Sequence, residues 1–371
     1  MAQGHTEPAD QMIQLLDEDG VRREHPDYPL EISDGELREL YRDLVLVRRI
    51  DTEATALQRQ GQLGLWASLA GQEGAQIGAG RALRAQDYVF PTYREHGVAW
   101  CRDIDPLHIL ELFRGVNLAG GWDPAQHNMS LYTLVLGSQA LHSVGYAMGV
   151  VRDGLVGSGD SAADTAVLAC FGDGATSQGD TNEAFVWAAA SNLPVVFYCQ
   201  NNQWAISEPV ERQSRVPLYR RAAGFGFPGV RVDGNDVLAC LAVTRKALDD
   251  ARSGQGPTLI EAFTYRMEAH TTSDDPTRYR NADEVARWAA RDPIDRLRKH
   301  LLARGALDAR FLDSLDEQSQ QLAVRLRAAV RAIPDPDPLS AFDHVYAEQT
   351  AELSQQREQM RDFLDSFEQV R

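Results

Sequence analysis

AVLACFGDGATSQGDTNEAFVWAAASNLPVVFYCQNN, residues 166–202, holds the pattern that decides the fold. AVLACF at 166–171 and VVFYC at 195–199 are short, continuous apolar runs, and runs of this kind suit strands buried on both faces of a sheet. A helix is expected between them at about 178–191. VRV at 230–232 and TLIEAF at 258–263 repeat the strand pattern, with a second helix expected at about 236–252. Such alternation predicts an α/β fold with an open, mostly parallel sheet and helices on both faces. In sheets of this class, ligands sit beyond the carboxyl ends of the strands.

Toward the N-terminus, Ser33 and Glu36 have the spacing of a capping box. Leu37, Leu40, Tyr41, Leu44, Val47, Ile50, Ala54 and Leu57 then recur at helical intervals, so a long amphipathic helix should end near Gly61. Residues 1–32 are polar, carry Pro8, Pro26 and Pro29 and show no sustained period; they are expected to form a mobile or surface-hugging arm. Residues 33–371 are expected to form one domain, with a charged helical extension from about 283 that is broken by PDPDP at 334–338.

With 371 residues and 43% hydrophobic content, the chain can bury a substantial core. Its 54 acidic and 37 basic residues give a net charge of -17, which argues against a nucleic-acid partner. Cys101, Cys170, Cys199 and Cys240 are widely spaced and suggest neither a disulfide framework nor a zinc site. The acidic opening stretch lacks the regions of a secretory signal, and no apolar run is long enough to span a bilayer, so a cytoplasmic location with no membrane partner is expected.

Gly172-Asp173-Gly174 directly follows the first strand, and Gln200-Asn201-Asn202 ends the second. Magnesium prefers hard oxygen donors and completes its shell with water and phosphate oxygens. Asp173 offers a carboxylate, Asn202 a carboxamide oxygen, and the chain just beyond it the Trp204 carbonyl. Gly172 and Gly174 allow close backbone approach to a diphosphate, and amides from Ala175 onward can donate to its oxygens. Alone, GDG is an ordinary glycine-flanked turn. Paired with NN across one helix and one strand, it resembles the thiamine diphosphate motif shared by transketolases, pyruvate decarboxylases and 2-oxo acid dehydrogenases.

The resemblance continues through FPTYREHGV at 90–98, GDGATSQGDTNEAFVWAAASNLPVVFYCQNNQWAIS, RVDGNDV and TLIEAFTYRMEAHTTSDDPTRYR. From about residue 35 onward these blocks look like the α subunit of the 2-oxo acid dehydrogenase E1 component. The resemblance implies thiamine diphosphate and Mg2+ as cofactors, a β subunit in an α2β2 heterotetramer, and acyl transfer to the lipoyl group of an E2 acyltransferase. It places Tyr93 and Arg94 on the diphosphate, Leu136 as the apolar wedge that bends the cofactor, and the Leu134 carbonyl near the aminopyrimidine. Arg266 and His270 match positions beside the diphosphate, with His270 assisting acyl transfer.

His96 is read as structural, and Gln200 departs from the basic or acidic residue of some relatives. Thr271 stands where animal relatives carry a phosphorylated serine. The glutamate that activates the cofactor has no second α/β domain here to carry it, so the β subunit is expected to supply it. HTTSDDPTRYR favours a branched-chain 2-oxo acid as substrate, with pyruvate as the alternative. Two other readings stand beside this one. A non-catalytic paralogue would have lost ligands that Asp173, Asn202, Arg94 and His270 retain. A nucleotide-binding dehydrogenase rests on the glycines of DGLVGSGDSAAD at 153–164, which precede the strand where a dinucleotide loop would follow it.

Overall fold

The computed structural model of the chain describes residues 12–117 and 120–368. Two compact units divide it, residues 1–330 and 331–371. The first contains β1 (Tyr88–Phe90), β2 (Val167–Gly172), β3 (Val195–Asn201), β4 (Trp204–Ala205), β5 (Glu208–Pro209), β6 (Gly229–Asp233) and β7 (Thr258–Phe263). Five of these form a parallel sheet in the order β1-β2-β3-β7-β6, while β4 and β5 make a small antiparallel hairpin. All four strands expected from the apolar runs are present.

The sheet is covered on both faces, which is why its strands read as unbroken apolar runs. Val195, Phe197 and Cys199 of β3 point into a core with Phe171, Phe185 and Phe227, and with Ala140 and Val144 of the helix Ser138–Arg152. On the opposite face, the Tyr198 hydroxyl donates to the Ala75 carbonyl at 2.8 Å. Ala75 lies in α2 (Glu73–Ala82), a helix that packs against the helix Val237–Arg252. That approach requires a glycine: a Cβ on Gly78 would lie 2.5 Å from the Cβ of Cys240. Truncating Phe185 or Phe197 to alanine removes core volume worth about 3–5 kcal/mol.

The long helix α1 spans Asp34–Arg59, with both halves of the Ser33/Glu36 capping box formed. Its buried stripe carries the expected apolar residues and also Asp51. The expected helices at about 178–191 and 236–252 appear as Gly179–Ala190 and Val237–Arg252. Beyond residue 280 follow Ala282–Ala289, Pro293–Ala303 and Ala309–Ala332, and the second unit contains the helix Ala351–Glu368. No helix among the described residues is long and apolar enough to cross a membrane.

Two features depart from expectation. Residues 12–16 of the expected mobile or surface-hugging arm dock more deeply than surface-hugging implies: Ile13 bridges in parallel to Val232 at the β6 edge, and Leu15 and Leu16 are buried. The amides of Leu15 and Leu16 donate to Asp236 Oδ2 at 2.6 Å and 2.6 Å. Three apolar side chains are too few to set up a period, yet they bury enough surface to dock the segment. Residues 1–11 lie outside the described residues. The second departure is β1, whose three residues were too short to read as a strand and which carries the Thr92–Glu95 turn at its carboxyl end.

Candidate functional site

Parallel pairing brings the carboxyl ends of β1, β2, β3 and β7 to one edge, and a single cleft opens there. Tyr93, Arg94, Leu136, Gly172, Asp173, Gly174, Ala175, Asn202, Trp204, Arg266 and His270 all line it. Leu134 does not: it lies 59% exposed on the loop leading to Leu136.

Asp173 opens a short 3-10 turn, Asp173–Ser177, directly after β2. Its side chain is 1% exposed, and burial raises its pKa from 3.8 to about 6. Among the described residues, one side chain hydrogen-bonds it, Gln213 through Nε2 at 3.0 Å. The next residue passes beneath the hairpin, where a Cβ on Gly174 would meet the Ala205 Cβ at 2.9 Å. Glycine is required here for steric clearance.

Asn202 follows β3. Its Nδ2 donates to Gln72 Oε1 at 3.0 Å, and its Oδ1 accepts from the Trp204 amide at 3.2 Å. Gln72 Nε2 is buried with no hydrogen-bond partner among the described residues. The chain beyond Asn202 turns sharply, with Gln203 at φ 69° and Ile206 at φ 56°. Left-handed backbone at non-glycine residues costs about 1–3 kcal/mol each. It is held here by Asn201 Oδ1, which accepts from the Gln203 amide at 3.1 Å, and by Gln203 Nε2, which donates to the Thr264 carbonyl at 2.7 Å.

The opposite wall is cationic. Arg94 donates through Nη2 to the His270 carbonyl at 2.7 Å and through Nη1 to the Ser68 carbonyl. Arg266 is fully buried and donates to the carbonyls of Trp204 at 2.9 Å and Ile206 at 2.7 Å. Burial and then the Arg94 charge lower its pKa to about 10. Its guanidinium therefore ties the hairpin to the β7 end, and the Trp204 carbonyl keeps one lone pair free of it.

His270 is braced by its amide on Asp274 Oδ2 at 3.0 Å, and its Nε2 lies 3.3 Å from the Tyr93 hydroxyl. Burial, Arg94 and Arg266 lower its pKa to about 3, so the ring is neutral near pH 7. With two arginines beside it, His270 needs a compensating negative charge in the cleft to hold a proton.

His96 is a buried structural residue, between the Tyr132 hydroxyl at 2.9 Å and the Ala67 carbonyl at 2.9 Å, and stacked on Trp66. Gln200 lines the cleft with its amide tied into the floor: Nε2 donates to Glu95 Oε1 at 2.7 Å and Oε1 accepts from Gln76 at 3.0 Å. Thr271 sits half-buried in the loop after His270. Sequence reasoning missed Gln72, Glu95 and Gln213. Of these only Glu95 carried a usable signal, its place inside FPTYREHG.

A buried carboxylate, a carboxamide oxygen and a backbone carbonyl form a hard-oxygen donor set suited to magnesium. No cluster of three or more His, Cys, Asp or Glu able to hold a metal occurs among the described residues; water and phosphate oxygens would complete such a shell. The unpartnered Gln72 Nε2 and the Arg94 guanidinium give those oxygens donors. The residues fit a magnesium diphosphate.

The family model described as dehydrogenase E1 component matches residues 41–335. A 3-methyl-2-oxobutanoate dehydrogenase subunit alpha from Mycobacterium tuberculosis is 46% identical over 94% of this chain and 93% of its own length. Pyruvate dehydrogenase E1 component alpha subunits from Staphylococcus epidermidis and Staphylococcus aureus are each 34% identical over 94% of this chain and 92% of theirs.

Proposed function

The chain belongs to the dehydrogenase E1 component family, and from that premise we propose that it is the α subunit of a thiamine-diphosphate-dependent 2-oxo acid dehydrogenase, acting on a branched-chain 2-oxo acid. The observation that carries this reading is the convergence of Asp173, Asn202 and Arg94 in one cleft at adjacent strand ends. When bound, thiamine diphosphate supplies the carbon nucleophile and the electron sink for loss of carbon dioxide.

Asp173, the Asn202 carboxamide and the Trp204 carbonyl would hold Mg2+, while Arg94, Tyr93 and Gln72 would take diphosphate oxygens. Diphosphate charge in the cleft would raise the proton affinity of His270 and let its ring hold a proton there. Leu136, which lines the cleft, would pack against the cofactor, whereas Leu134 lies outside the cleft. A β subunit completes the site in an α2β2 assembly and supplies the activating glutamate, and an E2 lipoyl acyltransferase receives the acyl group. Four free cysteines accord with a reducing, cytoplasmic location.

The substrate assignment follows the 46% identical relative, named for 3-methyl-2-oxobutanoate, over the 34% identical ones named for pyruvate. The test is kcat/KM for both acids, measured on this chain assembled with its β subunit. The branched acid should be preferred. Preference for pyruvate would replace the substrate, and no turnover of either acid, without thiamine diphosphate binding, would overturn the reading.

A further inference from the structure

Among the described residues, one side chain hydrogen-bonds Asp173, from forty positions away. Gln213 closes the short helix Val210–Gln213, which follows directly on the β4–β5 hairpin. Its Nε2 reaches Asp173 Oδ2 at 3.0 Å, and its Oε1 lies 3.5 Å from the Ser177 hydroxyl at the other end of the Asp173–Ser177 turn. A Cβ on Gly174 would stand 3.8 Å from the same Oε1 and 2.9 Å from the Ala205 Cβ. Hairpin and helix thus close over the turn as one piece, and the Gln213 amide is where they touch the carboxylate.

We propose that Gln213 is a positioning residue for the divalent cation: its amide occupies Asp173 Oδ2 and leaves Oδ1 to face the metal. This inference rests on the cleft being a magnesium diphosphate site. Three properties suit glutamine to the task. It is neutral, so it adds no charge to compete with the cation. As a donor from a side chain it helps fix the carboxylate rotamer, beside the backbone amides of Asp173 and Asn202. Because its helix follows directly on the hairpin that carries the Trp204 carbonyl, two parts of the cation's surroundings come from one contiguous segment, which Arg266 anchors at Trp204 and Ile206.

Partners of this kind, one bond removed from a metal, typically govern about 10–100-fold of metal affinity. Gln213 itself is half-buried at the surface, where an alanine is easily accommodated.

The test is Mn2+ binding, read by electron paramagnetic resonance with thiamine diphosphate present, on the complex of this chain with its β subunit. Wild type is compared with Gln213→Ala, Gln213→Lys and Asp173→Ala. Gln213→Ala should weaken Mn2+ by about 10-fold or more. Gln213→Lys keeps a donor but adds a positive charge, and should weaken Mn2+ further than Gln213→Ala does. The Mn2+ spectrum should also broaden in Gln213→Ala, reporting a less ordered set of oxygen donors, which loss of a merely structural contact would not produce. Wild-type affinity and line shape in both Gln213 variants, with binding lost in Asp173→Ala, would overturn the positioning role and leave the metal site standing. Absence of Mn2+ binding in wild type would overturn the metal site itself, and the Gln213 role with it.

Discussion

Two buried aspartates, Asp173 at the carboxyl end of β2 and Asp236 at the N-terminus of the helix Val237–Arg252, are alike in burial and unlike in company. Burial raises the pKa of each from 3.8 to about 6. Asp236 is saturated: Oδ1 accepts the amides of Leu238 and Ala239 at 2.9 and 3.0 Å, and Oδ2 those of Leu15 and Leu16 at 2.6 and 2.6 Å. Asp173 accepts from one side chain among the described residues, with backbone contributions from its own amide and that of Asn202, and faces a cleft lined by two arginines. A perturbed pKa therefore does not tell a functional carboxylate from a structural one here. Access to the cleft does: Asp173 lines it and Asp236 does not, and a carboxylate with lone pairs facing a buried cleft is costly unless something else binds it.

The sharpest way to break the comparison is to remove both acids in turn. Asp173→Ala should lower turnover on the order of 1000-fold, as expected when about 3–5 kcal/mol of buried charge pairing is lost. Its metal-free stability should hold or rise, since an under-satisfied buried acid is gone. Urea denaturation beside the rate assay checks both halves. Asp236→Ala should do the reverse. Stripping four amides of their acceptor costs about 3 kcal/mol and frees the segment at Leu15 and Leu16, with cofactor affinity kept.

The same site predicts a pH effect. The folded-state pKa of Asp236 lies above its unfolded value, so its contribution is fully present below about 4 and is lost as pH rises through about 6. Asp236→Asn should lack that decline. The urea midpoints of wild type and variant, compared between pH 4 and 7, measure it.

The basic wall offers two smaller tests. Arg94→Lys keeps the charge but cannot span both the Ser68 and His270 carbonyls, and should weaken thiamine diphosphate about 10-fold by calorimetry. For His270 the sign is opposite to that of Asp236. Its folded pKa of about 3 lies below the usual 6.5, so the stability it contributes is lost as pH falls below 6.5. By NMR its ring should show no protonation between pH 8 and 5 in the ligand-free protein.

What was legible in the sequence followed from locality. GDG and NN announce themselves because the residues that end β2 and β3 are contiguous with the strands that place them, and the apolar runs expose those strands. The Ser33/Glu36 capping box was equally readable, and formed. Gln213 and Gln72 were invisible because each reaches its partner from a separate loop, with no spacing to mark it. The docking of residues 12–16 escaped for a related reason: its acceptor, Asp236, looks like an ordinary helix cap until the second pair of amides arrives from the far end of the chain. Arg266 was correctly brought to the cleft, but its fully buried guanidinium holds the hairpin carbonyls, a role that depends on backbone geometry.

The central claim is tested most directly by calorimetric titration of thiamine diphosphate into this chain assembled with its β subunit. Wild type, Asp173→Ala and Asp236→Ala are each measured with and without Mg2+. Magnesium-dependent binding in wild type and Asp236→Ala, absent in Asp173→Ala, is the predicted result. Binding that ignores magnesium, or that survives in Asp173→Ala, would contradict the account.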